Sequence, residues 1–509
     1  MGPRADPMRE TGVRLVVGSS GAEVFFEGVE GVAIVGASSD PLKAGHQIVR
    51  NMADAGFPGK VFPINPHGAP VAGYPGHRAL AGIPERVDLV VIAAPAAAIE
   101  HVVPDLEDRF RTRGDVRGVI TTAAGFAETG TPEGRARQEA LLGICRRYGV
   151  REIGPNCVGI IDNANRLDTT FIQGTRRRAG GVSMVSQSGA FGAWMVARWS
   201  AQPAPAGVSK FCSLGNMADL DLIELLDYLD GDSLTRVVGV YLEGHEKARD
   251  FVRTAGRVAR AKPVVVLKVG RTAQGSEAAH SHTGSMAGSD RVYSAAFRDH
   301  GIVRVDSADE LTDTLQAFDR LPPSGPRVFL ATQAGGPGAY CMDFLAAGGG
   351  AGKVLRLATV SRETREALVR LLPPFASVCR PEGHCDMTAA ATVEQHARAV
   401  ELLLSDPGVD ALIMITVPTL YLDVEELGRA VADAYRRASE RAGTKPLLTV
   451  ILAGDVVRSG RRILEDSGLP TFETPDRAVR ALANLVRYRD FLKGGGGDGE
   501  WGHRSEDDE

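Results

Sequence analysis

Nine short apolar runs rich in valine and isoleucine punctuate the chain: Val32 to Val35, Val87 to Ala94, Val116 to Thr121, Val182 to Val185, Val237 to Leu242, Val264 to Leu267, Val328 to Ala331, Ala411 to Ile415 and Leu447 to Leu452. Most are continuous rather than alternating, the pattern of a strand covered on both faces, and helical segments separate them. Repeated strand and helix units of this kind predict an α/β protein built on parallel sheets.

At 509 residues the chain exceeds what one hydrophobic core serves, so several domains are expected. Turn-forming residues interrupt the pattern near Arg151 and at Leu321-Pro322-Pro323-Ser324-Gly325-Pro326. Three doubly wound domains are therefore predicted, over 1–150, 151–322 and 323–492, with a flexible tail over 493–509 where Gly494 to Gly497 and an acidic end offer little to bury.

A net charge of −5 over this length gives no general electrostatic reason to bind nucleic acid or an anionic bilayer. No run has the length and apolarity of a membrane span, and Met1 to Asp6 does not open a secretory signal. The six cysteines are scattered rather than arranged as a disulfide framework, which reads as a reducing, cytoplasmic setting. Cys379, His384 and Cys385 lie close in sequence, yet no second pair completes a tetrahedral set, so no metal site is expected.

The first strand runs into Gly36-Ala37-Ser38-Ser39-Asp40-Pro41 and then a helix expected from about Gly45 to Met52. A glycine turn that delivers the chain to a helix N-terminus makes a phosphate cradle from backbone N–H groups and the helix dipole. A dinucleotide site would place Asp or Glu after the second strand, whereas Lys60 to Ile64 ends in Asn65-Pro66. That argues against NAD and leaves another phosphate-bearing nucleotide such as coenzyme A, or a structural turn with no ligand.

A second strand, turn and helix reads Val185-Ser186-Gln187-Ser188-Gly189-Ala190. Ser186 and Ser188 place hydroxyls beside the free N–H groups of a helix start, which favours an anion. A serine hydrolase elbow would need Gly two residues before the nucleophile, and Met184 stands there. Glu243, at the end of the Val237 to Leu242 strand, could orient an imidazole by accepting its second N–H, or could be an ordinary solvent-facing carboxylate. His282, in Ala279-His280-Ser281-His282-Thr283-Gly284-Ser285, sits in a small-residue loop that leaves room for a phosphoryl group. The alternative is a histidine that caps a turn.

Taken in order, Val32 to Asp40 with Asn51, Phe62 to Pro66, Thr122 to Glu128, Ile153 to Gly159, Val185 to Gly189, Ser213 to Asn216, Tyr241 to Gly244, Lys262 to Arg271 and His282 to Ser285 resemble the alpha subunits of the nucleoside-diphosphate-forming acyl-CoA synthetases, the succinyl-CoA synthetase superfamily. The likeness is to the ADP-forming acetyl-CoA synthetase branch; it covers about residues 25 to 320, and Ala334 to Gly338 extend it into the third domain. The resemblance implies a Rossmann-like CoA-binding domain followed by two flavodoxin-like ligase domains. It implies CoA binding at Gly36, Ala37, Ser38, Ser39, Pro41, Lys43, Asn65, Pro66, Ala94 and Pro95. It implies phosphorylation of His282 supported by Glu243, with phosphate held by Ser186, Ser188, Gly189 and Gly284.

The implied reaction joins a carboxylic acid to CoA through an acyl phosphate, with the phosphoryl group carried on histidine between substrate and nucleotide. No segment of ATP-grasp size is apparent in the chain, so ATP, ADP and Mg2+ are expected on a separate ATP-grasp beta subunit, in a hetero-oligomer. An amide ligase using the same acyl phosphate, and a noncatalytic CoA-binding module, are the competing readings. One departure stands in the third domain: where the family has Asn-Pro-x-Asp, this chain has Arg380-Pro381-Glu382-Gly383-His384-Cys385-Asp386.

Overall fold

The computed structural model describes residues 21–174, 178–201, 207–277, 290–346 and 354–494. Five parallel strands form the first sheet: β1 (Gly31–Val35), β2 (Lys60–Ile64), β3 (Leu89–Ile92), β4 (Gly118–Thr121) and β5 (Arg151–Ile153), in the order β2-β1-β3-β4-β5. β1 is buried along its whole length, as its unbroken apolar sequence requires. Register levels its C-terminal end with both neighbours, Val35 opposite Ile64 on one side and Ile92 on the other. The order reverses between β1 and β3, so the residues that follow β1, β2 and β3 converge on one crevice at a topological switch point.

The second sheet has seven strands: β6 (Ile160–Asp162), β7 (Leu167–Asp168), β8 (Ala179–Ser186), β9 (Val208–Ser213), β10 (Val237–Leu242), β11 (Val264–Lys268) and β12 (Val303–Val305), ordered β12-β11-β10-β8-β9-β6-β7. β10 lies between β8 and β11, pairing Tyr241 with Ser186 and Leu242 with Lys268. That register brings Gln187, Glu243 and Val269, each one residue beyond a strand end, to the same edge.

The third sheet comprises β13 (Arg327–Thr332), β14 (Arg356–Leu357), β15 (Ser377–Val378), β16 (His384–Asp386), β17 (Ala411–Thr416), β18 (Leu447–Ile451) and β19 (Thr471–Phe472). Its order is β15-β16-β13-β17-β18-β19, with β14 pairing β13. The expectation of wholly parallel sheets needs correction at the margins. β6 is antiparallel to both β7 and β9, and β15 is antiparallel to β16. β6 with β7, and β15 with β16, are short strands joined by tight returns, which need no crossover helix, and β6 then adds to the edge of β9.

Helix limits follow local chemistry. The helix expected over Gly45 to Met52 runs Ala44–Ala55 and ends on Gly56 at φ 65°. Leu222–Gly231 starts with a capping box in which the Asp221 side chain and Glu224 satisfy each other's backbone donors. Pro132–Tyr148 has Pro at its first turn, Thr131 accepting from the Gly134 N–H, and a left-handed Gly149 at its end.

Helix Pro475–Lys493 packs along helix Ala308–Arg320 and fastens the second and third sheets together. Arg477 grips buried Asp313 through two hydrogen bonds, at 2.6 and 2.9 Å, and Asn484 Nδ2 donates to Thr314 Oγ1 at 2.9 Å. All six cysteines are buried free thiols. Burial pushes the Cys157 and Cys385 thiols up to about 12, which keeps them protonated and unreactive.

Candidate active site

The loop from Gly36 to Lys43 connects β1 to helix Ala44–Ala55, and Asn65-Pro66 and Ala94-Pro95 follow β2 and β3. All ten residues expected to hold CoA therefore lie around one crevice. Gly36 has φ +88°, and a Cβ there would stand 2.5 Å from the Ala94 backbone nitrogen. Only glycine permits that turn and that approach. The loop is braced internally: Ser38 Oγ accepts from the Asp40 N–H at 3.1 Å, and His46 Nδ1 lies 2.9 Å from the Ser38 carbonyl oxygen. Asn65 closes its own turn by two bonds with Ala69, at 2.8 and 2.9 Å. Asn51 ties the helix to the second sheet, donating to the carbonyls of Thr170 and Ile172. A glycine turn, a helix N-terminus and the exposed Lys43 fit the phosphates of CoA.

At the same edge of the first sheet, beyond β4 and β5, a cleft of about 990 Å³ opens between two sets of loops. One wall carries Thr122, Ala124, Glu128 and Asn156; the other carries Ser188, Gly189, Ala190, Gly244 and His245. Ser188 caps helix Gly189–Ser200, accepting from the Phe191 N–H at 3.3 Å. Helix dipole and free N–H groups at this start face the cleft and favour an anion. Ser186 behaves differently from the expectation that both serines face an anion. Its side chain is buried, and its hydroxyl donates to the Ser188 carbonyl oxygen at 2.6 Å, so it builds the turn.

Glu243 is buried, which removes the solvent-facing alternative. Its backbone is held by residues outside the sequence-derived site: Gln187 binds it from one side and the buried Lys268 Nζ donates to its carbonyl oxygen at 2.8 Å from the other. Burial holds the Lys268 ammonium below the usual lysine range, and the ring of Tyr293 lies 5.2 Å from it. His282 and Gly284 lie outside the described residues.

Several cleft residues escaped the sequence reading. His245 is nearly enclosed, its Nδ1 accepting the Lys247 N–H at 3.1 Å, and burial lowers its pKa. Glu128 accepts from the N–H groups of Gly125 and Phe126. Asn156, at φ 60°, and Gly215, at φ +59° with Pro155 O only 2.1 Å from any added Cβ, line the cleft on strained or close-packed backbone. A signal for Gln187 was present within the Ser186 to Gly189 motif; nothing in sequence marked Glu128 as the partner of Asn216.

Residues 30–163 match the family model of the CoA binding domain, and residues 179–318 match that of the succinyl-CoA ligase like flavodoxin domain. Together with the crevice and the anion-favouring cleft, these define an acyl-CoA ligase of the nucleoside-diphosphate-forming class. The chain belongs to the family of ADP-forming acetate–CoA ligase alpha subunits, being 37% identical to the acetate–CoA ligase [ADP-forming] II subunit alpha of Pyrococcus furiosus over 92% of this chain and 99% of that one. It is also 36% identical to acetate–CoA ligase [ADP-forming] I of Archaeoglobus fulgidus, matching over 90% of this chain but 62% of that longer relative. Among solved structures, the dinucleotide forming acetyl-coenzyme A synthetase 1 of Ca. Korarchaeum cryptofilum, in complex with phosphate and ADP, superposes with a TM-score of 0.82 and 32% identity, covering 93% of this chain and 98% of that one.

Proposed function

We propose that this chain is the acyl-transferring subunit of an ADP-forming carboxylate–CoA ligase, and that His282 carries the phosphoryl group. The observation that supports it most is the cleft itself: the start of helix Gly189–Ser200 and the Glu243-Gly244 loop face the loops at the CoA-binding edge. In the synthetic direction the N–P bond of phosphorylated His282 breaks as a carboxylate oxygen bonds to phosphorus. The CoA thiol sulfur then attacks the acyl carbonyl, phosphate leaves, and the thiol proton passes to solvent or phosphate.

The residues divide the work physically. Gly36, Ala37, Ser38, Ser39, Pro41 and Lys43, with Asn65, Pro66, Ala94 and Pro95, hold CoA. Ser188, Gly189 and Gly284 hold the phosphoryl oxygens, Ser186 fixes the turn, and Glu243 accepts the second imidazole N–H and stabilises positive charge on the ring. A separate ATP-grasp subunit supplies ATP, ADP and Mg2+. The near-complete match to a relative named as a subunit, against 62% of the longer one, supports that division. Among the described residues no helix is long and apolar enough to cross a membrane. The free, buried thiols suit the cytoplasm.

Combining the chain with a nucleotide-binding partner and measuring ADP release tests the reading. Release beyond the single equivalent formed on phosphorylating His282 is expected to require both a carboxylic acid and CoA. Release that proceeds with an amine in place of CoA would transfer the assignment to an amide ligase.

A further inference from the structure

Four backbone groups of Glu243 and Gly244 are held by only two side chains. Gln187 Oε1 accepts from the Glu243 N–H at 2.5 Å and the Gly244 N–H at 3.2 Å, while Gln187 Nε2 donates to the Gly244 carbonyl oxygen at 2.6 Å. Lys268 Nζ donates to the Glu243 carbonyl oxygen at 2.8 Å and also bonds the Val269 carbonyl oxygen. Gln187 lies between the two serines of the anion-favouring turn, so one amide couples that turn directly to the Glu243 loop.

The third sheet provides an internal comparison. Thr332-Gln333-Ala334-Gly335 repeats the turn: Thr332 Oγ1 donates to the Ala334 carbonyl oxygen at 2.7 Å, as Ser186 Oγ does to Ser188. The Gln333 N–H donates to the Ile415 carbonyl oxygen as that of Gln187 does to Tyr241. By that register Val417 and Pro418 occupy the places of Glu243 and Gly244. Proline has no N–H to offer, and both amide atoms of buried Gln333 lack a hydrogen-bond partner among the described residues. Bracing of the loop by glutamine is thus a feature of the second sheet, not a by-product of the turn.

We infer that Gln187 is a positioning residue for phosphoryl transfer, fixing the Glu243 loop relative to the helix start at Gly189, with Lys268 holding the loop's other side. This rests on the functional reading above. Displacing a supporting group by a fraction of an ångström lowers turnover without altering binding at a distant site.

The test uses the complex of the full chain with its nucleotide-binding partner. Gln187→Leu is expected to lower kcat by about 10- to 100-fold, leaving the KM for CoA within about twofold. Gln187→Glu separates positioning from bulk: a protonated carboxyl can make all three bonds, an ionised one cannot donate to the Gly244 carbonyl. Its activity relative to wild type should rise by about tenfold as pH falls from about 8 to about 6, because burial raises the pKa of the introduced carboxyl. That ratio is internal to one folded variant, so it holds even where the leucine variant is unstable. A leucine variant within about twofold of wild-type kcat, or a flat ratio for the glutamate variant, overturns the proposal. A wild-type complex that forms no ADP with acid and CoA instead removes the functional reading, and the proposal with it.

Discussion

Asn216 reaches across the cleft to Glu128, its Nδ2 donating to Oε2 over 2.6 Å and joining the loop after β9 to the loop after β4. Burial opposes the Glu128 charge, but the bonds from Asn216 and from the N–H groups of Gly125 and Phe126 outweigh it and hold the carboxyl below its ordinary value. Asn216→Ala removes the only one of these that crosses the cleft, at about 1 kcal/mol after allowance for partial solvent exposure.

The sign follows from the lowered pKa. A depressed carboxylate contributes stability above its ordinary value of 4.5 and loses it as pH falls through the lower folded value. Urea denaturation should separate wild type from Asn216→Ala at neutral pH and bring them together in acid. Curves equally far apart at both extremes would show that the bond to the ionised form is not responsible.

Arg477→Ala is expected to destabilise by about 3 kcal/mol, because it strands the Asp313 carboxylate in the contact between helices. Burial, only partly offset by Arg477, already pushes Asp313 up to about 6. Arg477→Ala,Asp313→Ala should recover part of the loss. Equal destabilisation by the single and double variants in chemical denaturation would refute the stranded-charge explanation.

The strands were the legible part of this chain. Val237 to Leu242 and Ala411 to Ile415 carry unbroken apolar runs, and both are central strands of their sheets. β9 was not foreseen, because Val208-Ser209-Lys210-Phe211-Cys212-Ser213 hides a buried Lys210 whose partner Asp232, 2.8 Å away, lies on a different element. β16 carries no apolar run to mark it: within the segment that departs from the family pattern, His384–Asp386 pairs beside β13 despite its polar sequence. The motifs at Gly36 and Ser188 were legible because glycines and cap residues act locally. Gln187 stands within a legible motif, but its bonds to the Glu243 loop, the role of Lys268 and the Glu128 to Asn216 bond were not legible, since they depend on which strands end side by side.

Glu152 provides a pH prediction of opposite sign. Burial pushes its carboxyl up to about 8, with Thr121 donating to Oε1 at 2.8 Å. Between the ordinary 4.5 and about 8 the folded chain keeps a proton that the unfolded chain has lost, so this group makes stability fall as pH rises. Glu152→Gln should gain on wild type between those limits, by no more than a few kcal/mol at about 1.4 kcal/mol per pKa unit. Parallel stability curves across the window would exclude a protonated Glu152.

Gly36→Val should weaken CoA binding by about tenfold or more, since the added side chain meets the Ala94 backbone within the crevice. Calorimetric titration of the isolated chain with CoA checks this. Wild-type affinity in a folded Gly36→Val chain would place CoA elsewhere.

The most direct measurement mixes the chain with its nucleotide-binding partner and γ-labelled ATP, then maps acid-labile phosphate by mass spectrometry in wild type, His282→Ala and His280→Ala. The account requires label on His282 in wild type and in His280→Ala, passed to a carboxylic acid when one is added and released as free phosphate once CoA is present as well, and none in His282→Ala. Full turnover by His282→Ala, or label on another residue, would contradict it.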